Sequence, residues 1–176
     1  MRISSNEQIY ELRKKIFESA DIAVMNLRET MEQVSPIGLL FLMKFDKTGV
    51  DPVHGIKINL IEQLNQLFSD LVVLEAVNDL MKRYPGKEFE MHLGTESGFD
   101  IESTDGTVVC ECFAVTTAGS NGKLKKDAEK LLLKAPTKKK YIYFYSRNDK
   151  DETVDRLYGR FPDITFRRIS DFLDTK

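Results

Sequence analysis

Gly98-Phe99-Asp100-Ile101-Glu102-Ser103-Thr104-Asp105-Gly106-Thr107-Val108-Val109-Cys110-Glu111-Cys112-Phe113-Ala114-Val115 is the stretch that decides the fold. Asp105-Gly106 is the strongest short signal for a two-residue hairpin turn, because glycine supplies the positive φ such turns demand. Strands are expected from Phe99 to Thr104 and from Thr107 to Val115. Setting Thr104 opposite Thr107 fixes the register, and Asp100 then falls opposite Glu111. Opposed residues share one face with β-carbons roughly 5 Å apart. Two full negative charges at that separation repel by about 3 kcal/mol at an effective dielectric near 20. The second strand is apolar on both faces around a single charge, Glu111, as a central strand would be. A charge there is costly unless paired, protonated or ligated. A divalent cation held by oxygen ligands would answer both burial and repulsion. An ion pair with a lysine of the chain, or a slipped register, would answer them as well.

Outward from the hairpin, Asn59 and Glu62 stand at capping-box spacing. Leu60, Leu64, Leu67, Phe68, Leu71, Leu74, Leu80 and Met81 predict an amphipathic helix to about Arg83, closed by Pro85-Gly86. Phe89, Met91 and Leu93 alternate with charged or polar neighbours as a half-buried strand does. Downstream, a helix from about Ser120 to Lys134, a strand Lys140 to Tyr145, a helix near Glu152 to Gly159 and a strand Ile164 to Ile169 complete an αβββαβαβ order. The fold class is therefore α/β, a mixed central sheet flanked by helices. At the N-terminus, Ser4 with Glu7, or Ser5 with Gln8, opens a helix to about Gln33, and Ser35-Pro36 starts a short apolar helix. Asp46 to Gly55, with two Gly, one Pro and two Asp, is the clear break. Residues 1–56 read as a helical arm that packs on the core or makes a homodimer, and residues 57–176 as the α/β core.

Apolar residues make up 41% and charged residues 31%, a globular balance. The longest apolar run, Ile37 to Phe45, is interrupted by Gly38 and Lys44 and falls short of the roughly 20 residues a membrane span needs. The polar stretch Met1 to Gln8 lacks the pattern of a secretory signal. Cys110 and Cys112 alternate on one strand face and are poor disulfide partners, so a reducing cytoplasm is the expected location. The net charge of −2 does not announce a nucleic-acid binder. Yet from Lys123 to Lys140 eight lysines face only Asp127 and Glu129, a local charge of +6. Such a face attracts phosphate even on an acidic protein; a solvated helix face with a lysine-rich loop explains it equally well.

Other chemistries lack their residues. The C-x-C pair has no second pair to complete a structural zinc site and reads as core. His54 and His92 have no nucleophile at a recognisable spacing. Glycines 94, 98, 106, 119 and 122 form no phosphate-binding loop. Tyr141, Tyr143 and Tyr145 share a strand face, which sheet packing explains more simply than base stacking.

With the hairpin acids and this element order, the chain resembles the PD-(D/E)XK nuclease superfamily, restriction endonucleases and DNA-repair nucleases among them, over about Leu60 to Leu173. Members share an αβββαβ core in which an Asp ending one strand and the Glu of the next bind magnesium, with Lys two residues after that Glu. Gly98-Phe99-Asp100-Ile101 and Glu111-Cys112-Phe113 take those positions. The resemblance implies a restriction-endonuclease-like core with an N-terminal helical extension. It implies a DNA endonuclease of restriction or mobile-element type that uses Mg²⁺ or Mn²⁺. Metal contacts would lie at Asp100, Glu111 and Cys112, with Glu75 in the preceding helix as a further acid.

Phe113 departs from the pattern, since lysine is expected there. Either the chain is an inactive nuclease-fold module that binds DNA or a protein, or the lysine has moved to the following helix, where Lys123 or Lys126 would serve catalysis. Lysines in a first helical turn oppose the helix dipole and so hint at a phosphate partner. Asn121, Lys125, Lys138, Lys139 and Lys140 are the expected nucleic-acid contacts, though Asn121 suits a helix cap as well.

Overall fold

The Asp105-Gly106 turn forms with Gly106 at φ 68° and its N–H donated to the Ser103 carbonyl at 2.7 Å. The Asp105 carboxylate accepts from the Ser103 and Thr107 hydroxyls, each at 2.7 Å, and pairs with Lys87. Those bonds, the one to Lys87 first, hold its pKa far below the usual carboxylate range. In this computed structural model, which describes residues 1–94, 97–119, 122–147 and 152–170, the turn joins β5 (Ile101–Ser103) to β6 (Val108–Val115). The register pairs Ile101 with Cys110 and Glu102 with Val109, as the turn requires. One step further along, Asp100 comes opposite Glu111.

Around that hairpin, β4 (Phe89–Met91) pairs antiparallel with β5, and β7 (Lys139–Ser146) and β8 (Ile164–Ile169) extend the sheet in parallel beyond β6. The crossovers are α4 (Lys123–Lys134) and α5 (Glu152–Arg160). Parallel strands covered on both faces need apolar residues on both faces. That is why Val108 to Phe113 of β6 are buried without a break. Side chains alternate across the sheet. Cys110, Cys112, Tyr141 and Tyr143 pack beneath α3 (Leu60–Arg83), while Val109, Phe113, Ile142 and Phe144 pack with Leu124, Ala128 and Leu131 of α4. Glu111 shares the α4 face with Val109 and Phe113. The three tyrosines lie on the α3 side of the sheet or at its end: Tyr141 and Tyr143 join the core and Tyr145 packs against it.

The N-terminal region is tied to this core. A two-residue strand, β1 (Arg2–Ile3), pairs with β4 at the sheet edge. The helix α1 (Asn6–Met31) follows, closed at its start by the Ser5–Gln8 capping box, and it buries Ile9, Leu12 and Ile16 against the α3 layer. In contrast α2 (Pro36–Phe45), capped by Ser35, has no buried residue and exposes Ile37, Leu40, Phe41 and Phe45. Between α2 and α3, where the sequence shows only a break, β2 (Gly49–Val50) and β3 (Lys57–Ile58) form a separate hairpin. Two-residue strands carry no readable periodicity, so β1, β2 and β3 escape pattern reading. Among the described residues no helix is long and apolar enough to cross a membrane.

Candidate active site

Glu111 is only 2% exposed, in the middle of the unbroken buried run of β6. Burial first, and Asp100 second, push its pKa up to about 7. The Lys130 ammonium, from α4, lies 2.6 Å from Glu111 Oε1. The same ammonium donates to the Gly98 carbonyl at 2.7 Å, so it ties the Glu111 strand to the loop that leads into Asp100. Asp100 Oδ2 accepts the Cys112 backbone N–H at 2.6 Å. Burial raises the Asp100 pKa, against that hydrogen bond and the nearby charges of Lys123 and Lys130.

A third acid belongs to the cluster. Asp127, 4% exposed on α4, receives Lys123 Nζ at 2.9 Å on Oδ1, while its Oδ2 has no hydrogen-bond partner among the described residues. Burial opposes the charge of Lys123, but the bond to Asp127 and the charges of Asp100 and Glu111 outweigh it and shift its pKa up. Lys123 also stands 5.9 Å above the Phe113 ring, which stacks on Phe144. A cation thus reaches the place beside Phe113 from the neighbouring helix. Lys123, Asp127 and Lys130 recur at i, i+4 and i+7 on one face of α4, the periodicity of a helical stripe. With all five groups ionised, three carboxylates face two ammonium groups and one negative charge is in excess.

The structure redistributes several expected roles. Lys130 and Asp127 are missed as site residues from sequence alone; their signal is the helical spacing from Lys123. Glu75 pairs with Arg13 of α1 and is not among the charges that act most on Asp100 or Glu111. Asp70 of α3 does couple to Asp100, and burial of this 3% exposed residue pushes its pKa up to about 7. Five residues separate Asp70 from Glu75, about 140° around a helix, which turns one toward the loop and the other toward α1. The Cys112 side chain lies on the opposite sheet face from Glu111, 3.5 Å from Cys110 Sγ, and burial raises its thiol pKa. Its contribution to the site is its backbone N–H.

The expected basic patch is also divided. Lys126 is exposed, and Lys125 pairs with Glu129 at 3.7 Å. Lys138 pairs with Glu102, and Lys139 stands 5.3 Å above the Tyr84 ring. Lys140 is 6% exposed and donates to the Pro136 and Lys138 carbonyls, so it is turned inward, away from solvent. Asn121 lies outside the described residues. No protein-family model, curated protein or solved structure matches this chain.

The donors at the site are hard carboxylate oxygens, suited to Mg²⁺ or Mn²⁺, and Mg²⁺ commonly binds one or two carboxylates with water and substrate phosphate completing its shell. Among the described residues no group of three or more His, Cys, Asp or Glu side chains is arranged to hold a metal ion. The pair Asp100 and Glu111 nevertheless fits such a hydrated ion. Their mutual repulsion and the excess negative charge favour a cation there.

Proposed function

We propose that this protein is a metal-dependent phosphodiester hydrolase, a DNA endonuclease of restriction or mobile-element type with the chemistry of the PD-(D/E)XK superfamily it resembles. The observation that carries this reading is the hairpin register that sets Asp100 against a buried Glu111, with Lys123 and Lys130 converging from one helix. Asp100 and Glu111 would hold the cation, which when bound supplies Lewis-acid polarisation and activates water at neutral pH. The Cys112 N–H fixes Asp100 in place. Lys130 partly offsets the burial of Glu111 and ties it to the Asp100 loop. Lys123, in the first turn of α4, would stabilise charge developing on a phosphoryl oxygen. It takes the part that Phe113 leaves vacant.

One observation favours a second reading. Lys130 already supplies Glu111 with a cation from the chain, which is how an inert nuclease-fold module that binds DNA or a protein would keep its buried acid.

Incubation with supercoiled plasmid and Mg²⁺ or Mn²⁺ separates the two. Nicking or linearisation is expected, with Asp100→Asn and Glu111→Gln each lowering the rate about a thousandfold, the scale on which transition-state electrostatics are lost. Lys123→Ala should lower the rate while leaving metal binding intact. No cleavage of duplex, single strands or RNA by the wild type would leave the inert module standing.

A further inference from the structure

A cleft of about 540 Å³ opens at the carboxyl ends of the parallel strands β6 and β7, within the range of about 300–1,000 Å³ typical of small-ligand sites. Open α/β sheets commonly bind ligands at this end. Lys123 and Phe113 belong both to this cleft and to the surroundings of the acid cluster, so the two adjoin.

The lining has a mixed character. On α3, Asn65, Phe68 and Ser69 present one helical face to it. Phe68 is 37% exposed although its neighbours Leu67 and Leu71 are buried. Tyr145 and Arg147, at and just beyond the end of β7, also line it. Aromatic rings thus belong to the lining, an amide and hydroxyls offer hydrogen bonds, and Lys123 and Arg147 supply positive charge; no carboxylate belongs to the described lining. A planar apolar body joined to an anion is what this combination recognises. Of nucleic-acid components, a nucleotide has that form, and base faces stack on aromatic side chains without regard to sequence.

We propose that the cleft receives one unpaired nucleotide of the substrate, its base against Phe68 and Tyr145 and its phosphate between Lys123 and Arg147. This rests on the nucleic-acid reading above and narrows it. A base paired within a continuous duplex stays in the stack and cannot enter a pocket until it is released. The preferred substrate is therefore a single strand, a frayed end or a duplex with an unpaired base.

The test is fluorescence anisotropy of a labelled oligothymidylate and of a blunt duplex of equal length, in EDTA so that neither metal nor cleavage enters. The single strand should bind about tenfold tighter, and Phe68→Ala should remove about that factor for the single strand alone. Arg147→Gln should weaken single-strand binding and reduce its salt dependence by about one phosphate contact. Thermal melts confirm that both variants are folded. Equal or tighter binding of the duplex, or an unchanged single-strand affinity in folded Phe68→Ala, overturns the cleft assignment. Single-strand binding with no cleavage of any substrate sinks the hydrolase reading and leaves the cleft assignment intact. Cleavage that depends on Asp100 without single-strand preference does the reverse.

Discussion

Glu111 and Asp70 are two buried acids on opposite sides of one sheet, both pushed up to about 7 with burial as the first cause, yet their surroundings differ. Glu111 has an ammonium at 2.6 Å and a second acid facing it across the hairpin. Among the described residues Asp70 has one long backbone bond, from Gly94 at 3.4 Å, and no hydrogen-bond partner for its Oδ2, while Asp51 adds to the repulsion. Asp51 is itself satisfied locally, by the backbone N–H groups of Val53 and His54 at 2.8 and 2.6 Å. Burial alone therefore does not mark a reactive carboxylate. What distinguishes Glu111 is that a lysine side chain, rather than backbone, balances its charge, and such a partner can yield to an incoming cation.

The largest expected effect that separates the two acids is on stability against pH. Each has a folded-state pKa above its ordinary value, 4.5 for Glu111 and 3.8 for Asp70. Between that value and about 7 the folded protein holds more protons than the unfolded chain. Each acid thus contributes stability that is complete below its ordinary value and lost as pH rises through about 7, about 3 kcal/mol for Glu111 and about 4 kcal/mol for Asp70. Denaturant unfolding at about pH 5 and pH 8 should show the loss in the wild type, and Glu111→Gln and Asp70→Asn should each remove its share. Saturating Mg²⁺ should erase the Glu111 share, because a cation replaces the proton, and should spare the Asp70 share. Equal responses of the two shares to Mg²⁺ would break the distinction.

A smaller effect is expected at Lys130. Removing one member of a buried ion pair costs about 3–5 kcal/mol. The Lys130 side chain is 32% exposed, so solvent already screens part of the interaction. Lys130→Met should therefore cost about 2 kcal/mol at neutral pH. In the Glu111→Gln background the same change should cost little, a coupling that a double-mutant cycle measures directly. If Lys130→Met costs the same in both backgrounds, the lysine is held by the Gly98 carbonyl and not by Glu111.

How far the sequence discloses this arrangement depends on the range of the signal. The turn chemistry of Asp105-Gly106 is local and sets the opposition of Asp100 and Glu111 outright. Capping residues Ser5, Ser35 and Asn59 likewise mark helix starts that the structure repeats. The rotation of a helix relative to the sheet is not local. Lys130 and Asp127 become site residues only when the crossover turns their stripe inward, and Glu75 is drawn away from the site by its ion pair with Arg13 of α1. The lysines from 138 to 140 look like one patch in sequence, but strand alternation and nearby carbonyls send them in different directions.

The smallest expected effect tests how the Asp70 side is held. Gly94 adopts φ +68°, and a Cβ there would lie 3.0 Å from Asp51 Oδ2. Gly55 has nearly the same backbone, φ +69°, with nothing within 4 Å of its Cβ position. Alanine at either site should cost about 1 kcal/mol for the left-handed conformation. Gly94→Ala must in addition displace the Asp51 carboxylate or the backbone N–H that Asp70 accepts. Its cost should exceed that of Gly55→Ala by a further ~1 kcal/mol, the scale of one disturbed buried hydrogen bond. The excess should shrink toward low pH, where a protonated Asp70 no longer depends on that N–H, and it should be indifferent to Mg²⁺. Equal costs for the two alanines, measured by denaturant unfolding, would mean that the close approach of Gly94 does nothing to hold the acid. An excess that disappears on adding Mg²⁺ would instead join Asp70 to the same cation site as Asp100 and Glu111.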